Sequence, residues 1–166
     1  MASNVLDLLS QLHDQHVEFV IVGGVAAALR GGSRVTFDVD VVPRLEQAPW
    51  EAAIGFLWSL GARPRIPEPL ERIRDIEHVR RWQRDEGMLA LNFRSPDGSV
   101  DIDFLVSESE RFDDIRARAV AVRVGHRTFL VASIDDLIAM KERAGRPQDR
   151  LDIAQLQSIQ KRLRDP

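Results

Sequence analysis

The stretch from residue 17 to residue 43 constrains this chain more than any other. An apolar run at 17–22 (VEFVIV) stops at Gly23-Gly24, and small apolar residues at 25–29 follow at once. Gly31-Gly32-Ser33 breaks that stretch, and residues 37–42 (FDVDVV) then alternate up to Pro43. The first run reads as a buried strand, the second stretch as a helix starting on the glycines, and the alternation as a second strand. Asp38 and Asp40 stand at i and i+2, so their carboxylates share one strand face while Val39 and Val41 turn to the core. A bare D-x-D is most often the wet side of a strand. Here it follows a strand–Gly-Gly–helix turn, where the missing Cβ atoms let backbone N–H groups approach a phosphate closely.

A third strand repeats the pattern. Residues 88–93 and 100–106 read as two strands joined by Ser95-Pro96-Asp97-Gly98, and the second (VDIDFLV) carries Asp101 and Asp103 on one face. Like charges ~4 Å apart cost about 4 kcal/mol at an effective dielectric near 20, so two such strands side by side require a compensating cation. Hard oxygen ligands beside a phosphate cradle imply Mg²⁺.

The remaining pattern is helices and one hairpin. Helices are expected at 3–16 (N-capped by Ser3), 46–60 and 71–84, and a hairpin at 120–124 and 127–131. Ser133, with Asp136 in the capping-box position, starts a helix that ends near Gly145, and Pro147 starts a last one running to about residue 163. Helices and strands mix without strict alternation, so the expected class is α+β (mixed α/β), a central mixed sheet flanked by helices with further helices at the C-terminus. At 166 residues one domain is expected, with a core at about 17–131 and a helical part at about 133–164.

Composition narrows the chemistry. The absence of cysteine excludes disulfides, thiolate metal sites and a cysteine nucleophile. No apolar run approaches the ~18 residues of a membrane span. The start, MASNVLDLLSQLHDQ, carries acids where a signal peptide carries basic residues, so a cytoplasmic protein without membrane association is expected. Of 23 basic residues only Lys141 and Lys161 are lysines, which singles out Lys141 on the predicted face beside Leu137 and Ile138.

The run GGVAAALRGGSRVTFDVD resembles the signature of the nucleotidyltransferase superfamily, the DNA polymerase β-like fold. It is most similar to the bacterial branch of the type IV abortive-infection toxins. That pattern is Gly-Gly, a small-residue helix and R-x-T-x-D-x-D, here Arg34, Thr36, Asp38 and Asp40. SIDDLIAMKERAGRPQDRLDIAQL is similar to the same branch's C-terminal helical motif, with Lys141, Arg146, Asp149 and Asp152 at its charged positions. The chain departs at Arg30-Gly31, where many members carry His-Gly.

The resemblance implies that Gly23 and Gly24 hold a triphosphate through backbone amides, with Arg34 and Thr36 in the nucleotide site. It implies that Asp38 and Asp40 bind two Mg²⁺ or Mn²⁺ ions, and that a third acid completes the site. Asp103 fits that role through the following Phe104-Leu105, and Asp101 is its rival. Lys141 is expected on the nucleotide phosphates; of Asp149 and Asp152, one would orient Lys141 or Arg146 and the other would be a surface acid. The implied activity is transfer of an NMP from an NTP to a hydroxyl on RNA, tRNA, protein or a small molecule. A toxin with an antitoxin partner is the role the branch suggests.

Two other functions fit the sequence. A catalytically degenerate module of this fold would bind nucleotide or a partner protein without turnover. An RNA-binding protein without chemistry would use the arginines between Arg63 and Arg84, with Trp82 for stacking. Interleaved acids at Glu68, Glu71, Asp75, Glu77, Asp85 and Glu86 equally describe a salt-bridged helix.

Overall fold

The computed structural model describes residues 5–33, 36–99 and 101–165. Ser3, Arg34 and Val100 lie outside the described residues, and with them the expected N-cap, one expected nucleotide-site residue and the first residue of an expected strand.

Among the described residues seven strands form one mixed sheet: β1 (Phe19–Val22), β2 (Asp38–Pro43), β3 (Arg63–Pro64), β4 (Leu91–Arg94), β5 (Asp101–Phe104), β6 (Val120–Val124) and β7 (Arg127–Val131). Their order is β3-β4-β5-β2-β1-β7-β6. β2 runs parallel to β5 and β1 parallel to β7, while the other neighbours are antiparallel. The helices are α1 (Val5–Asp14), α2 (Gly23–Leu29), α3 (Gln47–Ser59), α4 (Leu70–Arg74), α5 (Ile76–Glu86), α6 (Phe112–Arg118), α7 (Ile134–Ala144) and α8 (Asp149–Arg164), with a 3₁₀ segment at Val106–Arg111.

The mixed α/β class, the central sheet and the C-terminal helix pair agree with the sequence reading. Alternation along β2, β4 and β5 sets the two faces. Val39, Val41, Leu91, Phe93, Ile102 and Phe104 are buried, while Asp38, Asp40, Asn92, Arg94, Asp101 and Asp103 face the other way. The buried face packs on α3–α5: Trp50 meets Phe104 edge-on at 5.1 Å and donates its indole N–H to the Ile73 carbonyl at 2.8 Å.

Two helix readings change. The helix expected over 71–84 is broken at Asp75, which is extended (φ −80°, ψ 108°) and accepts a hydrogen bond from the Glu77 N–H at 3.0 Å, capping α5. The last helix starts at Asp149, two residues after Pro147. The 3₁₀ segment, α6 and two-residue β3 carry too little periodicity to be read from sequence. Among the described residues no helix is long and apolar enough to cross a membrane.

Candidate active site

The acids meet through strand register. Asp38 lies opposite Asp101 and Asp40 opposite Asp103 on the parallel pair β2/β5, at the end of the sheet where β1 runs into Gly23. Gly23 adopts φ +66°, a left-handed conformation that glycine adopts without strain, and a Cβ there would overlap the Asp40 carboxylate. A Cβ on Gly24 would come within 2.9 Å of Thr36 Cγ2. The glycine pair is thus required by close packing under Asp40 and Thr36. Thr36 in turn accepts from the Asp38 N–H at 3.3 Å.

The electrostatics follow from that crowding. Burial, then the charges of Asp103 and Asp38, push the Asp40 carboxyl up to about 6, while Arg146 and Lys141 pull it down. Asp103 accepts a hydrogen bond from Asn92 on β4. Asp101 is differently employed: Arg94 holds both its oxygens at 2.9 and 3.0 Å and Arg65 reaches one at 2.6 Å. Hydrogen bonds from Arg94 hold the Asp101 carboxyl below the usual range; burial opposes them and the Arg65 charge adds to them.

The C-terminal motif arrives at the same end. β7 ends beside Ile21, with the Ala132 N–H donating to its carbonyl at 3.0 Å, and leads into α7. Ser133 caps α7 by accepting from the Asp136 N–H at 3.1 Å, as the sequence predicts. Lys141 donates to Asp152 at 2.7 Å and stands 3.6 Å from Asp149. Asp149, only 2% exposed, also accepts from the Arg146 backbone at 3.0 Å and side chain at 3.1 Å. Burial pushes the Asp149 carboxyl up, but these hydrogen bonds and the charges of Arg146 and Lys141 outweigh it and hold it low. Asp152 is therefore a partner of Lys141 rather than a surface acid. Gln155 on α8 donates to Ser33 at 2.9 Å, tying the helix to the loop that follows α2.

Among the described residues no three His, Cys, Asp or Glu side chains are already gathered as ligands. The donor set nevertheless fits a hard divalent cation: Asp38, Asp40 and Asp103 offer oxygen ligands on one face, and Asp40, raised first by burial, also feels the charges of Asp103 and Asp38.

The fold has counterparts among solved structures. The chain superposes on a lincomycin-bound lincosamide antibiotic adenylyltransferase, LnuA, with TM-score 0.61 and 14% identity over 93% of this chain and 95% of that one. The fold is the nucleotidyltransferase fold. An antigenic nucleotidyltransferase-like protein from Paracoccidioides brasiliensis matches with TM-score 0.56 and 17% identity, over 92% of this chain and 71% of that one. No protein-family model and no curated protein matches the sequence.

Within the nucleotidyltransferase fold, one sequence reading is set aside. Trp82 is buried and packs edge-on with His78 at 5.8 Å, so it offers no face for stacking a base. Arg72, Arg74 and Arg80 pair with Glu68, Glu51 and Glu77, and Arg63 covers the Trp58 ring at 4.1 Å. Most of that arginine stretch serves the fold. Asn92 escaped the sequence reading, although Leu91-Asn92-Phe93-Arg94 alternates in phase with Asp101-Ile102-Asp103-Phe104 and that alternation was the available signal. A cleft of about 340 Å³ lined by Arg44, Arg80, Arg84, Ser109 and Asp113 lies past the other end of β2, away from the acids.

Proposed function

We propose that this chain is a nucleotidyltransferase that moves an NMP from an NTP to a hydroxyl acceptor and releases pyrophosphate. The observation that carries this is the in-register pairing of Asp38 and Asp40 with the β5 acids, directly over a glycine whose missing Cβ makes room for Asp40. Asp103 is the third acid of the site. Asp101 is committed to Arg65 and Arg94, whereas Asp103 shares a register position with Asp40.

Mg²⁺ or Mn²⁺ ions held by Asp38, Asp40 and Asp103 would stabilise charge on the entering and leaving oxygens. The Gly23 and Gly24 amides receive the triphosphate, helped by Thr36 and Arg34, and Lys141 and Arg146 contribute positive charge from α7 and the turn before α8. The acceptor oxygen bonds to the α-phosphorus and the bond from that phosphorus to the pyrophosphate oxygen breaks. Pyrophosphate leaves with the electron pair, and the hydroxyl proton passes to water. Lys141 already has Asp152 as a partner, so its contact with phosphate requires sharing that carboxylate.

The acceptor is a hydroxyl of RNA or tRNA, of a protein, or of a small molecule. LnuA is a lincosamide antibiotic adenylyltransferase and has lincomycin bound. A toxin role with an antitoxin partner rests on the motif resemblance, and a cytoplasmic location on the sequence reading.

The test is label transfer from each α-labelled NTP, with Mg²⁺ or Mn²⁺, into total RNA and lysate protein. Label incorporated by the wild type and lost in Asp38→Ala/Asp40→Ala supports the proposal and identifies the acceptor class. NTP binding that is retained without any transfer, with every acceptor class supplied, would favour the non-catalytic module. If neither NTP nor metal binds, the proposal fails.

A further inference from the structure

The face that carries the acids continues across β4 to the sheet edge. Residues in register across neighbouring strands stand on the same face, and Asp38, Asp101, Arg94 and Arg63 form one such row over β2, β5, β4 and β3. Two guanidiniums share the single Asp101 carboxylate. Arg94 uses two N–H groups on it and Arg65 one, out of five donors on each arginine. Asp101 is 12% exposed at its side chain, whereas Arg65 and Arg94 are 52% and 54% exposed. The trio therefore carries one net positive charge, with guanidinium N–H groups left facing solvent. Arg63 lies in register with Arg94 but turns its guanidinium onto the Trp58 ring at 4.1 Å, which leaves Arg65 and Arg94 as the pair on Asp101. The charge of Asp38 is felt at Arg94, so this cationic edge adjoins the acid site.

The two cationic groups around the acids are thus on different elements. Lys141 comes from α7 and Arg146 from the turn before α8, and Arg65 and Arg94 come from the β3–β4 edge. We propose that Arg65 and Arg94, positioned by Asp101, form a phosphate-binding subsite for the acceptor, whose reacting hydroxyl is carried on a phosphate ester. This rests on the nucleotidyltransferase reading, with the triphosphate on the glycine side and the acceptor entering over β4. Guanidinium pairs suit phosphate oxygens because their planar fork binds two oxygens at once. The same chemistry is offered by a nucleic-acid backbone and by a phosphorylated small molecule.

The experiment measures binding of a fluorescein-labelled hexaadenylate RNA to the full chain in Mg²⁺ buffer over a range of salt concentrations, with ribose 5-phosphate as competitor. Variants are R65Q/R94Q, D101N and, as a control on α5, R81Q. The subsite predicts at least a roughly tenfold loss of RNA affinity in R65Q/R94Q and a log–log salt slope shallower by about 1.4, at ~0.7 per single-strand phosphate contact. It also predicts tighter binding by D101N, where a second positive charge is unmasked, and no change in R81Q. Displacement of RNA by ribose 5-phosphate assigns the subsite to a small phosphorylated acceptor, and failure to displace assigns it to the polymer.

A purely structural clamp predicts for D101N a lower melting temperature with RNA affinity unchanged. That result, an R65Q/R94Q variant that binds like wild type, or no RNA binding by the wild type overturns the subsite. NTP binding is measured in parallel on the same proteins. Wild type that binds RNA but no NTP sinks the nucleotidyltransferase reading instead. Normal NTP binding with unaffected R65Q/R94Q sinks the subsite alone.

Discussion

Asp40 lies between Asp38 and Asp103 in charge and against Gly23 in space, and its carboxyl is pushed up to about 6. In the unfolded chain it would titrate near the ordinary aspartate value of about 3.9. Between those two values the folded state holds more protons than the unfolded one, so stability falls as pH rises through about 4 to 6 and is level above. The difference amounts to about 3 kcal/mol at neutral pH. Asp40→Asn is therefore expected to stabilise the metal-free protein at pH 7 by up to that amount, with little gain at pH 4, measured by urea unfolding at both pH values. The same variant should lose about 10²–10³-fold or more in label transfer, as when a group acting on transition-state charge is removed. Asn92→Ala, which frees one Asp103 oxygen from its hydrogen bond, should cost roughly 10–100-fold in metal affinity, the usual effect of losing a residue that orients a ligand. Calorimetric Mg²⁺ titration reads it directly.

Two glycines separate backbone conformation from site packing at the level of elements. Gly23 (φ +66°) opens α2 against the Asp40 carboxylate, while Gly87 (φ +67°) ends α5 with nothing within 4 Å of where an alanine methyl would stand. Alanine at Gly87 should cost about 1–2 kcal/mol, from left-handed strain alone. Alanine at Gly23 should cost distinctly more and also abolish NTP binding, because Asp40 must move; thermal unfolding and NTP titration of the two variants test this. The turn into α8 depends on Asp149, which is buried, holds Arg146 through backbone and side chain, and faces Lys141. Asp149→Ala leaves Lys141 with Asp152 and lets the exposed Arg146 turn to solvent, so it should destabilise by about 1–3 kcal/mol through the lost hydrogen bonds to Arg146, seen as a lower urea midpoint.

For the molecule as a whole, one sheet separates stability from chemistry. Trp50 sits on the apolar face with Phe104, and its truncation to alanine should cost about 3–5 kcal/mol while leaving activity per folded molecule unchanged. Leu156, buried on α8, should cost about 2–5 kcal/mol on truncation and lower NTP affinity as well, because α8 carries the partners of Lys141. Activity normalised to the folded fraction distinguishes the two. Much of this was legible in the chain. Strand–Gly-Gly–helix and the two D-x-D strands follow from period-two alternation and from the conformational freedom of glycine, both local properties. So do the Ser133 cap and the 120–131 hairpin, set within a few residues. Which acid pairs with which was not legible. Asp101 and Asp103 are equivalent by spacing, and only the register of β4 beside β5 gives one to Arg94 and the other to Asn92. Nor does the sequence place Lys141 near Asp40, about a hundred residues away, or reveal that Asp152 binds that lysine. Periodicity specifies the face of a strand because each side chain's direction depends on its own backbone. The choice among equivalent acids and cations depends on neighbours across the sheet, and those are decided only when the chain closes on itself.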